Sequence, residues 1–438
     1  MCAFERSEKG MEFFMGNKRT IILIGILIVI ALLIVVAVFF ITSSSKKEDP
    51  IIPIINEVKE ENIVVENIVE EQNNEEVEEL PKLSQKGEVA KQRSIYIDNN
   101  NQTITIPEGY AVILDSPNVS AGLVISDIAN DDLSNSKQGN QFVWIPVETP
   151  ALDLSKYTNE IDINDAIAES ISNKKYPMAI KLSDGNYRGV LYRFEAINQG
   201  TSIKVSFISY SQNNTEREPA NLENNKDNSS NISNWTQNMY QEEYNDLVKR
   251  VIKDGGFWIA RFETSLSNDG IAQTKKDQKV MTGISWYKMY DNEKTLTKGT
   301  TTSHMLWGSQ WDQVMILLKD ISNNSGKNSR YYIIDSTNMG NYSDTELVNE
   351  QGDKIKKKGE SIRYKTGEIS NALVYNIYDL AGNVWEWTME ANFTSSRTVR
   401  GGYCAYDGAT YPVSARFSFV TDYNGDKLEN IGSRMTIY

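Results

Sequence analysis

The chain has 438 residues and a formal net charge of −14. Such an acidic balance excludes a nucleic-acid partner held through a basic surface. Its 1 His and 2 Cys, at His304, Cys2 and Cys404, cannot furnish a multi-imidazole metal centre or a paired-thiolate copper site.

The N-terminus opens with a basic stretch, 1–19, carrying Arg6, Lys9, Lys18 and Arg19. An uncharged apolar run from Ile21 to Ile41 comes next. At about 1.5 Å per residue this run is long enough to cross a bilayer as a helix, which predicts a transmembrane anchor over 20–42. Basic residues before the run and Glu48 and Asp49 after it place 1–19 in the cytoplasm and the rest outside. A cleaved signal peptide is the alternative, but FFITSSSKKE offers no A-x-A site. Residues 43–92 are rich in Glu and Asn and lack aromatics, so they read as an acidic, disordered stalk that cannot bury enough apolar surface to order itself.

From 93 the texture changes to short alternating runs, SIYID, QTITIPEGYAVIL and AGLVISD, separated by Asn and Gly. These predict a small β-rich segment over 93–138. GNQFVWIPVE (Gly139 to Glu148) opens a larger domain, 139–438. Within it, YQEEYNDLVKRVIK places Tyr244, Leu247, Val248 and Val251 on one helix face, ahead of the apolar strand GGFWIARFETS. GISWYKMY and LWGSQWDQVMILLKD come after it, and Trp311, Met315 and Leu318 recur in the latter at helical spacing. The Asn-rich stretch Gln212 to Asn234 reads as a surface loop.

The closing quarter carries the most specific pattern: YDLAGNVWEWTME (Tyr378 to Glu390), then RGG (Arg400 to Gly402), then GSR (Gly432 to Arg434). Taken together these resemble the formylglycine-generating enzyme, or sulfatase-modifying factor, family, with Ser433 in place of that family's aromatic. The resemblance implies an α+β, loop-rich, C-type-lectin-like fold. It also implies a structural calcium at the GNVWEW turn, carried onto Asn383, Val384 and Glu386, whose hard oxygens suit that ion. Hydrogen bonding of Asn383 and Glu386 inside the core is the alternative role. The family's oxidase chemistry needs two cysteines after RGG, and only Cys404 is present, so a non-catalytic member is expected. Arg400, Arg416 and Arg434 read as structural guanidiniums.

After RGG, the stretch Tyr403 to Asp426 contains no Lys, Glu, Gln, Met or Trp, the five residues that a pyrimidine-ending codon cannot encode. Diversity-generating retroelements produce such codons by mutating adenines. Segment 400–434 accordingly resembles the variable region of their target proteins; an ordinary turn-rich terminus is the alternative. Aromatic anchors among small polar residues suit a recognition surface, with Tyr403, Tyr406, Asp407, Phe417, Phe419, Asp422 and Tyr423 as contact candidates. Strand alternation would turn some of Phe417, Phe419 and Val413 inward. The expected function is recognition of an extracellular protein or glycan by a membrane-tethered chain. A metal-dependent oxidase and a structural envelope protein are the competing classes.

Overall fold

The computed structural model describes residues 79–197, 202–214, 216–219, 237–321, 332–349, 351–392, 396–420 and 428–438. The anchor expected at 20–42, residues 43–78 of the expected stalk, and Asp422 and Tyr423 lie outside them. Among the described residues no helix is long and apolar enough to cross a membrane.

The protein is a mixed, sheet-rich α+β structure. A seven-stranded sheet runs in the spatial order 297–298, 301–305, 435–437, 256–260, 141–146, 124–126 and 111–112. Its central strands read as nearly continuous apolar runs because both faces are covered. Along Gln141–Pro146, Val143 and Ile145 join one hydrophobic core while Phe142 and Trp144 join another. Phe257 and Ile259 alternate with Trp258 and Ala260 in the same way on Gly256–Ala260. Such double-sided burial is the period-two geometry of a strand used twice.

One of these faces is covered by three helices. Helix α2, Gln237–Asp254, buries Tyr240, Tyr244, Leu247, Val248 and Val251, the face legible in its apolar spacing. Helix α3, Trp286–Glu293, starts where the Ser285 hydroxyl accepts the Lys288 N–H. Helix α4, Gly308–Asp320, buries Trp311, Met315 and Leu318. The opposite face is covered by the chain from 79 to 123. Leu83 and Ala90 are buried there, so packed structure begins inside the stretch read as stalk. Strands Ala111–Val112 and Val124–Ser126 belong to the large sheet, which makes 93–138 continuous with the domain expected from 139 onward.

The sequence patterns did not announce the organisation of 151–219. Helix α1, Glu160–Ser172, capped by Asn159 on the Asp162 N–H, packs with a three-stranded sheet (151–153, 179–181, 187–189). The hairpin Tyr192–Ile197 and Ser202–Phe207 completes a satellite core around Leu154, Ile163, Ile167, Ile180 and Tyr192. The three-residue strands of the small sheet and a helix with only three buried residues leave little periodic signal to read.

The closing segment forms a second sheet. Trp385–Asn392 pairs with Ser396–Arg400, which pairs with Arg416–Val420, while Ile431–Ser433 runs parallel to Trp385 at the other side. Met435–Ile437 then enters the large sheet between Gly256–Ala260 and Thr301–Met305.

Candidate functional site

The turn that precedes the second sheet is held by backbone close approach. Gly382 has φ +73, and a Cβ there would stand 2.2 Å from the Asn341 carbonyl oxygen, so only glycine fits without displacement. Asn383 comes next in the left-handed region, φ 61, and is fully buried. Its Oδ1 accepts from Asn341 Nδ2 at 3.0 Å and from the Tyr364 N–H at 2.9 Å, while its Nδ2 donates to Glu263 Oε2 at 2.6 Å. Glu386 lies 2.7 Å from the Arg434 guanidinium, which also donates to the carbonyls of Ala260 at 3.0 Å and Tyr378 at 2.9 Å.

These contacts bear directly on calcium. As they stand, Asn383 and Glu386 do not fit the ion, because it would have to displace two N–H donors from one and a guanidinium from the other. Among the described residues no three His, Cys, Asp or Glu side chains are grouped to hold a metal. Neighbouring carboxyls are instead pushed towards their neutral forms. Burial raises Asp379 to about 7, and burial, then the charges of Asp379 and Glu386, raises Glu263. In the GSR motif, Ser433 occupies its position as a donor to Glu293, whose carboxyl burial pushes up to about 8.

A second buried network lies under the closing strand. Asp312 of α4 and Glu390 of Trp385–Asn392 face Arg400 and Arg416. Arg400 reaches Asp312 at 2.9 Å and Glu390 at 3.5 Å; Arg416 reaches Glu390 at 3.0 Å and pairs with Asp312. Arg416 also donates to the Tyr192 carbonyl, and Asp312 accepts the Tyr192 N–H at 2.7 Å, so the 151–219 substructure is fastened to the closing strand here. Glu218 accepts the N–H groups of Gly308 and Ser309 at the start of α4, where burial, and then the Glu390 charge, pushes it up to about 8. All three structural arginines read from the sequence thus carry interior pairs.

Above this network the strand turns its other side chains outward. Along Arg416–Val420, Arg416 goes inward, Phe417 is 40% exposed and Phe419 is half-buried. Val413, which alternation left open, is fully buried. The rings then run in an unbroken path. Tyr403 and Tyr406 meet edge to face at 4.6 Å, Tyr406 and Tyr411 stack at 4.4 Å, Tyr411 and Phe417 meet at 6.4 Å, and Phe417 and Phe419 at 5.2 Å. Trp385 lies beneath, fully buried, touching Tyr406, Tyr411 and Phe417. Gly402, φ +75, lets the turn close, since a Cβ would stand 2.5 Å from the Tyr411 carbonyl oxygen.

Five sequence-selected candidates, Tyr403, Tyr406, Asp407, Phe417 and Phe419, therefore lie in this region. Tyr411, whose ring joins the two halves of the path, was missed, although it stands in the same Lys- and Glu-free stretch. Cys404 is 4% exposed, and burial pushes its thiol up to about 11, so it is a neutral core group at ordinary pH. His304 lies in the large sheet, stacked on Tyr438 at 4.6 Å with Nδ1 3.3 Å from Glu243.

No protein-family model matches the chain, and no curated protein does. Among solved structures it is similar to Treponema denticola variable protein 1, with 15% identity and a TM-score of 0.21, over 57% of this chain and 95% of that one. A likeness of that degree establishes neither a shared fold nor a shared ligand.

Proposed function

We propose that this chain is a non-catalytic recognition protein whose closing segment is its ligand-binding surface. One observation carries the reading: five rings, Tyr403, Tyr406, Tyr411, Phe417 and Phe419, make a continuous aromatic path in which Tyr406 and Phe417 are 36% and 40% exposed. Exposed apolar rings that are already packed against one another lose little side-chain entropy on binding, which is the character of a recognition surface. Support also comes from the buried, neutral Cys404, a poor nucleophile and metal ligand.

The sequence supports the remaining elements. Residues 20–42 anchor the chain in a membrane, an acidic linker lifts the domain outward, and the domain is of the sulfatase-modifying-factor type. Segment 400–434 is a retroelement-diversified region whose codon-restricted stretch supplies the exposed rings. Extracellular protein or glycan ligands are the expected partners.

The test is binding of the purified full chain to a printed panel of extracellular proteins and glycans, beside the variant carrying Tyr406→Ala and Phe417→Ala. A specific signal lost in the variant, with its melting temperature kept, is the expected result. A signal that survives unchanged sinks the reading. The diversification component is tested separately: a near-copy of the last segment rich in AAY codons, beside a reverse-transcriptase gene, is expected in the neighbouring DNA.

A further inference from the structure

We infer that the aromatic surface takes a cationic side chain, so that the partner presents an arginine or lysine of a protein to the tyrosine cluster. This rests on the recognition reading above and names the chemistry of its ligand.

Ring geometry is the first observation. Tyr403 stands at 74° to Tyr406, Phe417 stands at 73° to Tyr411, and Tyr406 and Tyr411 are stacked within 24° of each other. Trp385 below is at 85° to Tyr411 and 71° to Tyr406. Perpendicular rings make corners in which a small group meets two π faces or edges at once, and a cation over such faces is attracted by the ring quadrupoles.

Charge is the second observation. Three carboxylates lie on segments bonded directly to the turn that carries Tyr406. Asp407 is next to it in sequence, half-buried, and the Thr410 N–H donating to its Oδ1 at 2.7 Å holds its carboxyl below the usual range. Asp344 accepts the Gly408 N–H at 3.1 Å. Asp335 is exposed, next to Ser336, whose N–H donates to the Gly408 carbonyl at 2.9 Å. From 401 to 415 the chain has no Lys, Arg or His. Arg400 and Arg416, which bound that stretch, are turned inward and neutralised by Asp312 and Glu390. Lys357 and Lys358 are exposed on the turn fastened to Ser343 through the Gly359 N–H, together with Glu360. Lys356, buried on the same segment, donates to the Tyr342 and Thr345 carbonyls, and Arg363 is paired with Glu429. Counting all of these, five carboxylates stand against four cations. A basic group is therefore drawn to the surface by this small excess of carboxylate and met there by π faces.

The experiment titrates the full chain with three probes: the peptide acetyl-Gly-Arg-Gly-Arg-Gly-amide, the same peptide with citrulline for arginine, and chitobiose. Citrulline keeps the shape of arginine and removes the charge. Arginine is expected to bind at least about fivefold tighter than citrulline. Asp407→Asn, in which the amide oxygen can still accept the Thr410 N–H, is expected to weaken the arginine peptide about threefold without lowering the melting temperature, and Tyr406→Leu to weaken it about tenfold. Equal binding of the citrulline peptide, preference for chitobiose, no binding of any probe, or indifference to Asp407→Asn would each overturn the inference. Those outcomes leave the recognition reading standing where the panel signal still depends on Tyr406 and Phe417. If that signal is also independent of the rings, both readings fail.

Discussion

Arg416 and Phe417 are neighbours in one strand, yet one is paired with two buried carboxylates and fastened to the Tyr192 carbonyl while the other is 40% exposed above Trp385. Removing a partner from the inward set leaves an uncompensated charge where water cannot reach it. Removing an outward ring changes mainly what the solvent-facing surface can hold. Two consecutive positions therefore tolerate change very differently, which is the separation a binding surface needs if its contacts vary while its scaffold stays put.

That contrast breaks if the inward set turns out to be dispensable. Arg400→Ala leaves Asp312 and Glu390 with Arg416 as their only paired guanidinium, one buried charge short of balance, and is expected to cost about 3–5 kcal/mol, read as a lowered urea midpoint or as loss of folded protein. A cost under about 1 kcal/mol would mean that the pairs are not shielded. Gly382→Ala, forced into φ +73 against the Asn341 carbonyl, is expected to cost about 1–3 kcal/mol in the same measurement.

Titration sharpens the picture of the interior. Glu218 and Glu293 each rise from 4.5 to about 8 on folding, chiefly through burial. Each carboxyl then binds more protons folded than unfolded, so their contribution is complete below pH 4.5 and is lost as the pH rises towards 8. The melting temperature of the full chain is expected to fall between about pH 5 and about pH 8, and Glu293→Gln to flatten that slope. A flat profile in the unmodified protein would contradict the burial of these groups. At the acid end Glu243 gives the opposite trend below pH 4.5: burial would raise it, but His304, Lys294 and Tyr290 together hold it down at about 2.

Smaller effects belong to the outward face. Phe417→Ser is expected to change stability by about 1 kcal/mol or less while abolishing panel binding. Smallest of all, a chelator is expected to leave the melting temperature unchanged, because the Arg434 guanidinium already holds Glu386. A fall on chelation would reinstate calcium at Asn383 and Glu386.

Several parts of the fold were legible because they are periodic. Tyr244, Leu247, Val248 and Val251 marked the buried face of α2, and Trp311, Met315 and Leu318 that of α4. Tyr403, Tyr406, Phe417 and Phe419 stood out as candidates by composition. What escaped was anything assembled across distance. Asp312, Glu390, Arg400 and Arg416 come from one helix and three strands, and no local spacing signals that they meet. In the 151–219 substructure the small sheet has strands of three residues, and α1 buries only Ile163, Ile167 and Ser170.

By itself, then, the sequence determined the apolar runs of the central strands, the apolar faces of two helices and the restricted alphabet of the closing stretch, since each is a matter of local pattern or composition. Only the tertiary structure decided that Arg400 and Arg416 meet Asp312 and Glu390, that Tyr411 joins the ring path, and that Glu386 pairs with Arg434. Partner choice for a buried charge or a stacked ring depends on where the backbone brings groups far apart in sequence, and a linear pattern carries no record of that.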